Sequence, residues 1–221
     1  MLTPDAFRCD SRMVKETVRI FDGEYAVPGA PSLDKPRVLD LGAHVGAFVL
    51  WAADQWPGCQ VFAVEPNEDT FRKLSSNLGA ACVAVTPEEA SWDLPGGGKC
   101  HAVRAAVVDR DKQYVFLRHG ANNPGEASLY DLGQQQRQGE SVRCLQPSML
   151  PPCDVMKIDT EGCELEILRA YQWLGGVRVL ALEWHRKTEI PALISVCHEA
   201  GLRLAGANTD GRVLKFARAA E

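Results

Sequence analysis

The sequence predicts a mostly parallel α/β sheet covered by helices on both faces and finished by an antiparallel hairpin. Three observations carry this expectation. Short β-rich runs alternate with helical stretches along most of the chain, several runs end in glycine or an acid, and the last two are joined across Asn208-Thr209-Asp210-Gly211. The 221 residues, 46% apolar and 24% charged, have the composition of one globular unit, long enough to bury a core without disulfide or metal staples. The expected organisation is one domain over 1–221, with a helix and lead-in over 1–36 and the sheet core over 37–221.

Thr3-Pro4-Asp5 is a helix start, with a hydroxyl cap, proline at the first helical position and an acid in the first turn, so a helix toward Ile20 is expected. A lead-in rich in Gly and Pro then reaches the first strand at Arg37. A helix over 45–55, a strand over 60–65 and a helix over 67–77 capped by Asn67 follow, the grammar of a parallel sheet. The stretch 79–99 is read as an irregular surface excursion with a short helix at Thr86-Pro87-Glu88-Glu89. Further strands are expected over 102–108 and 113–117, and the polar stretch 119–139 as a lid. The alternation resumes with a strand over 154–159, a helix over 161–174, a strand over 178–183, a helix over 188–200 closed by Gly201, and a hairpin of 202–207 with 212–217.

Charge and composition exclude several functions. A net charge of −5, with no basic stripe interleaved with aromatics, argues against a nucleic-acid partner. No apolar run is long enough to span a membrane, and Asp5, Asp10 and Glu16 interrupt the first twenty residues, so the expected location is cytoplasmic. Eight scattered cysteines form no C-x-x-C pair and are expected to be reduced and mostly buried.

The strongest local signal is Asp40-Leu41-Gly42-Ala43-His44-Val45-Gly46, at a strand-to-helix turn. Its G-x-x-x-G spacing differs from the G-x-G-x-x-G of dinucleotide sites, which disfavours a nicotinamide oxidoreductase. An acid beside the loop disfavours pyrophosphate and favours a cationic cofactor; S-adenosylmethionine carries an ammonium and a sulfonium. The second signal, Val64-Glu65-Pro66-Asn67, ends the next strand and places an acid where it can accept ribose hydroxyls. The third, from Asp154 to Glu164, releases Lys157, Asp159 and Glu161 at a strand's carboxyl end, expected to face the same crevice as Asp40 and Glu65. The fourth, Ala181 to His185, brings Glu183 and an imidazole whose ordinary pKa of about 6.5 suits a general base.

At these motifs the chain resembles the FkbM family of S-adenosylmethionine-dependent methyltransferases. The resemblance rests on V-L-D-L-G-A-H-V-G-A-F (38–48), V-F-A-V-E-P-N (61–67), D-V-M-K-I-D-T-E-G-C-E-L-E-I-L (154–168) and L-A-L-E-W-H (180–185), with weaker agreement at Ala105-Ala106, Asp109 to Asp111 and Ala127-Ser128-Leu129. His44 stands where an Asn is common. The resemblance implies a Rossmann-like class I fold with a seven-stranded sheet, and methylation of a hydroxyl on a sugar or secondary metabolite.

The expected cofactor residues are Asp40, Gly42, Ala43, His44, Gly46, Glu65, Pro66, Asn67, Ala106 and Asp159. His185 or Asp159 is the expected base, held by Lys157, Glu161 and Glu183; Asp159, Glu161 and Glu183 are an alternative Mg²⁺ set. The expected partner is a small hydroxylated acceptor, with no nucleic acid and no membrane. The competing function is a cofactor-binding module without turnover.

Overall fold

The computed structural model describes residues 13–79, 82–85, 88–111, 113–118 and 139–219. The Thr3 helix start and residues 119–138 of the lid expected over 119–139 lie outside the described residues, as do Ala127-Ser128-Leu129, while Gly139 begins a strand.

The core is a sheet built outward from β1 (Arg37–Leu41). Parallel neighbours β2 (Gln60–Val64) and β5 (Lys99–Val103) lie on one side, and β9 (Val155–Ile158) and β10 (Val179–Glu183) on the other. The hairpin β11 (Leu202–Ala207) and β12 (Val213–Arg218) closes one edge, β12 running antiparallel to β10. Seven is the number of strands the family resemblance implies, and the strand expected over 113–117 is not among them. The sheet nevertheless has nine, because β3 (Cys82–Val85) and β4 (Glu89–Asp93) extend the far edge antiparallel to β5.

This corrects the reading of 79–99. Glu89 begins a strand, and β4 alternates, burying Ala90 and Trp92 at 2% exposure each. Thr86 and Pro87 of the expected short helix lie outside the described residues, and from Glu89 onward period-two burial of two apolar side chains makes a strand.

The strand expected over 102–108 also divides. β5 stops at Val103, and Ala106–Val107 forms β6 of a separate small sheet in the order β6-β8-β7, with β7 at Tyr114–Arg118 and β8 at Gly139–Leu145. Arg104 ties this sheet to the core, lying between Glu140 of β8 and Glu68, which starts α3 (Glu68–Asn77).

Alternation divides the apolar strand residues between two faces. Val38, Val61, Val155 and Val179 pack with Phe48, Trp51 and Ala52 of α2 (Ala47–Gln55) and with Phe71 and Leu74 of α3. Leu39, Leu41, Met156, Ile158, Leu180 and Leu182 pack on α4 (Glu164–Ala170) and α5 (Ile190–Glu199) through Ile167, Leu168, Leu193 and Cys197. The lead-in after α1 (Met13–Phe21) joins the first face: Tyr25 is 4% exposed and meets Phe48 edge-on at 5.6 Å. Trp51 is a packing residue at 6% exposure. Cys59, Cys100, Cys153, Cys163 and Cys197 are buried free thiols, and Cys144 is a partly buried one. Among the described residues no helix is long and apolar enough to cross a membrane.

Candidate active site

Strand register brings the motifs to one level. Leu41 pairs with both Val64 and Ile158, and Ile158 with Leu182, so Gly42, Glu65, Asp159 and Glu183 leave four adjacent parallel strands together. The cleft at these strand ends has Gly42, Glu65, Pro66, Ala106, Asp159 and Glu161 among its walls. A second hollow at the other ends of the strands, around Arg37, Gln60 and Lys99, contains none of the expected site residues.

The glycine loop is tight for reasons internal to the protein. A Cβ at Gly42 would lie 1.8 Å from the carbonyl oxygen of Asp159, and Gly42 has φ +79°. Gly46 caps α2 at φ 86°, and a side chain there would meet Leu74 and Leu78 of α3. Its glycine serves a left-handed cap under a neighbouring helix. His44 has φ 51°, a conformation in which Asn and His are enriched, which accounts for an Asn being common there.

Glu65 forms the floor of the cleft at 6% exposure. One carboxylate oxygen accepts the His44 backbone N–H at 2.8 Å and the other accepts that of Asn67 at 2.9 Å. Burial nevertheless pushes its pKa up to about 7. The side chain of Asn67 is engaged as the α3 cap, accepting from the Thr70 backbone at 2.9 Å and from the Thr70 hydroxyl at 3.0 Å. Ala43, His44, Gly46 and Asn67 shape the loop and the Glu65 carboxylate without being walls of the cleft.

Asp40 is placed differently from the expectation that it faces the crevice. It is fully buried, in register with Lys157, whose ammonium lies 3.3 Å from Asp40 Oδ1 and 3.7 Å from Asp159 Oδ2. Lys157 also donates to the Gly42 carbonyl and sits 5.5 Å from the centre of the Tyr25 ring. Burial lowers the Lys157 pKa, but the two carboxylates outweigh it and hold the ammonium above its ordinary value. Asp40 therefore supports the loop from beneath through Lys157.

His185 gathers three acids. Its Nδ1 lies 2.9 Å from Glu164, and its Nε2 lies 3.3 Å from Glu161 Oε2 and 3.8 Å from Asp159 Oδ1. Burial lowers its pKa, yet the Glu164 hydrogen bond and the other two carboxylates raise it to about 9. This corrects the expectation of an ordinary imidazole: the surrounding acids favour its charged form, so at neutral pH it is a weaker candidate for the base than Asp159. Burial raises Glu161 to about 8 and, aided by Asp159, Glu183 to about 7.

One site residue, Tyr25, escaped sequence reasoning. Tyr25, 134 residues before Asp159, donates to Asp159 Oδ2 at 3.3 Å and approaches Glu183 Oε2 at 3.5 Å. Tyr25 has no local sequence signal. Glu164, which closes the third sequence signal, is 1% exposed and orients His185 while accepting the Gly162 N–H at 2.9 Å.

Residues 40–204 match the family model described as the methyltransferase FkbM domain. The chain belongs to the FkbM methyltransferase family. This FkbM chain is 26% identical over 180 residues to the AMB antimetabolite synthetase AmbE of Pseudomonas aeruginosa, covering 69% of the chain and 8% of that protein. It is 25% identical over 171 residues to the methyltransferase SdnD of Sordaria araneosa, covering 66% of the chain and 63% of SdnD. It is also 29% identical over 130 residues to a precorrin-6Y C(5,15)-methyltransferase (decarboxylating) of Mycobacterium tuberculosis, covering 58% of the chain and 30% of that protein. The FkbM chain thus spans less than two thirds of the length of each of these relatives. Among solved structures, a precorrin-6y C5,15-methyltransferase from Geobacter metallireducens GS-15 superposes with a TM-score of 0.52 at 11% identity, over 97% of this chain and 95% of that one. The fold is that of the class I S-adenosylmethionine methyltransferases.

Proposed function

We propose that this FkbM chain is an S-adenosylmethionine-dependent O-methyltransferase acting on a hydroxyl of a small molecule, a sugar or a secondary metabolite. The observation that carries the reading is Glu65: a carboxylate buried in the cleft, held by two backbone N–H groups and retaining lone pairs for a pair of hydroxyl donors. The small walls Gly42, Ala105 and Ala106 leave room beside it for a flat, apolar group. The residues present therefore fit the cofactor, which supplies the electrophilic methyl group when bound.

The protein's own work is orientation and proton management. Gly42 and Glu65 fix the cofactor half of the cleft, and Asp159 and Glu161 stand at the acceptor side. Asp159 is the group suited to take the acceptor proton, being 27% exposed at its side chain and positioned by the Tyr25 hydroxyl and the Lys157 ammonium. A divalent ion beside Asp159 is a second means of making that hydroxyl acidic. The acidic net charge supports a small-molecule acceptor over a nucleic acid, and the chain is read as acting in the cytoplasm, on neither nucleic acid nor membrane.

Calorimetric titration with S-adenosylmethionine and S-adenosylhomocysteine tests the cofactor, and turnover on hydroxylated acceptors tests the reaction. Micromolar binding lost in Glu65→Ala is expected. Absence of binding to folded wild-type protein would overturn the proposal, and binding without turnover on any hydroxylated acceptor would leave a cofactor-binding module.

A further inference from the structure

We propose that Asp159, Glu161 and His185 form a site for a first-row divalent transition ion, with one imidazole and two carboxylate ligands and open positions toward the cleft. One donor atom from each of these three residues lies within 4.8 Å of the other two. Metal–ligand bonds of about 2.0–2.2 Å place ligands on a shared ion roughly 3.0–3.6 Å apart, so Nε2 at 3.3 Å from Glu161 and 3.8 Å from Asp159 needs only small adjustment.

The second, independent observation is the state of His185. Its side chain is 7% exposed, and Nε2 faces the two carboxylates, 3.3 Å from Glu161 Oε2 and 3.8 Å from Asp159 Oδ1. Nδ1 is fixed by Glu164, whose side chain is 1% exposed. A buried imidazole anchored through one nitrogen to a carboxylate, with the other aimed at two acids, is how metal-bound histidines are held.

Asp159 is prepared in the same way. Tyr25 and Lys157 both address Oδ2, while Oδ1 is the oxygen nearest His185. Glu183, the third member of the Mg²⁺ set expected from sequence, is turned aside, with Oε2 toward Tyr25 at 3.5 Å and Oε1 toward Arg212 at 3.6 Å. Exchanging that carboxylate for an imidazole changes the preferred ion: mixed nitrogen and oxygen donors suit Mn²⁺, Fe²⁺ or Zn²⁺, whereas Mg²⁺ favours oxygen and water.

Asp159 and Glu161 also line the cofactor cleft, so the open positions face the place where an acceptor would lie. A hydroxyl taking one of them would be made more acidic, its proton passing to solvent in place of Asp159, which would then be a ligand. That role rests on the methyl-transfer reading; the ion site itself does not.

The test is titration of metal-stripped protein with Mn²⁺, read by loss of the free-ion paramagnetic resonance signal, with Mg²⁺ and Zn²⁺ as competitors. One site per chain is expected, displaced by Zn²⁺ and retained in excess Mg²⁺. Its affinity should fall at least tenfold in His185→Ala and Glu161→Gln, fall severalfold in Tyr25→Phe, and change less than twofold in Glu183→Gln. Far-ultraviolet circular dichroism and a cooperative urea transition report that the variants are folded. No stoichiometric Mn²⁺ binding, or binding indifferent to His185 and Glu161 in folded variants, overturns the site. Mn²⁺ binding without any S-adenosylhomocysteine binding would instead overturn the methyltransferase reading and leave the ion site standing.

Discussion

At Gly42 the main chain passes so close to the Asp159 carbonyl that no side chain fits. Gly42→Ala must push the two strand ends apart, and about 2–4 kcal/mol of stability should be lost in urea denaturation, together with cofactor affinity. Lys157 is the second sensitive point, because removing it strands the Asp40 carboxylate in the interior. Lys157→Met is expected to cost about 3–5 kcal/mol, and adding Asp40→Leu should recover most of it, a coupling that a double-mutant cycle measures. Glu65 makes a pH prediction. Its carboxyl is raised from the ordinary 4.5 to about 7, so between those values the folded protein binds the proton more tightly than the unfolded chain. Stability from this group is complete below about 4.5 and is lost as pH rises through 7, by about 3 kcal/mol in all. Glu65→Gln should flatten that part of the stability profile, whereas an unchanged slope would show that Glu65 is ionised throughout. The motifs exposed Glu65, Asp159 and His185 because each ends a β-rich run. They concealed the destination of Asp40, since whether a strand-end acid meets solvent or a buried lysine depends on the neighbouring strand.

Elements divide along similar lines. The α3 helix was legible to its cap, because Asn67 and the acids after it act locally; Asn67→Ala should cost about 1 kcal/mol, measured by thermal or urea unfolding. The start of α4 was not. Acids from Glu161 onward suggest a helix, but Glu161 at φ 53° and Gly162 at φ 107° delay it to Glu164, which frees Glu161 to turn toward His185. The edge pair β3 and β4 was missed because short strands derive their stability from a neighbour and not from local preference. The small sheet makes the prediction proper to this scale. Arg104 is 14% exposed at its side chain and joins Glu140 of β8 to Glu68 of α3, next to the cleft wall formed by Ala105 and Ala106. Arg104→Met should speed amide exchange in β6 and β8 and weaken S-adenosylhomocysteine binding several-fold, leaving protection in β1 and β9 intact.

Over the whole molecule, a ligand that binds only the folded state stabilises every part that unfolds with the site. S-adenosylhomocysteine at about a hundredfold its dissociation constant should contribute about 2.7 kcal/mol, raising Tm by about 5–10 °C, with little shift in Glu65→Ala at the same concentration. The general architecture was readable because a parallel sheet announces itself through repeated alternation. The meeting of Tyr25 with Asp159 and Glu183 was not, since it joins residues separated by 134 and 158 positions and only the assembled sheet brings them together. That separation also has a kinetic side. Contacts between such distant parts of a chain pay their loop-closure entropy before they return anything, so they form late. Helices and the local hairpin of β11 and β12 can appear early in refolding, while Tyr25 must wait for β9 and β10 to take their places. The centre is therefore among the last parts of the molecule to mature, and a partly folded chain will have its secondary structure well before it can position Asp159.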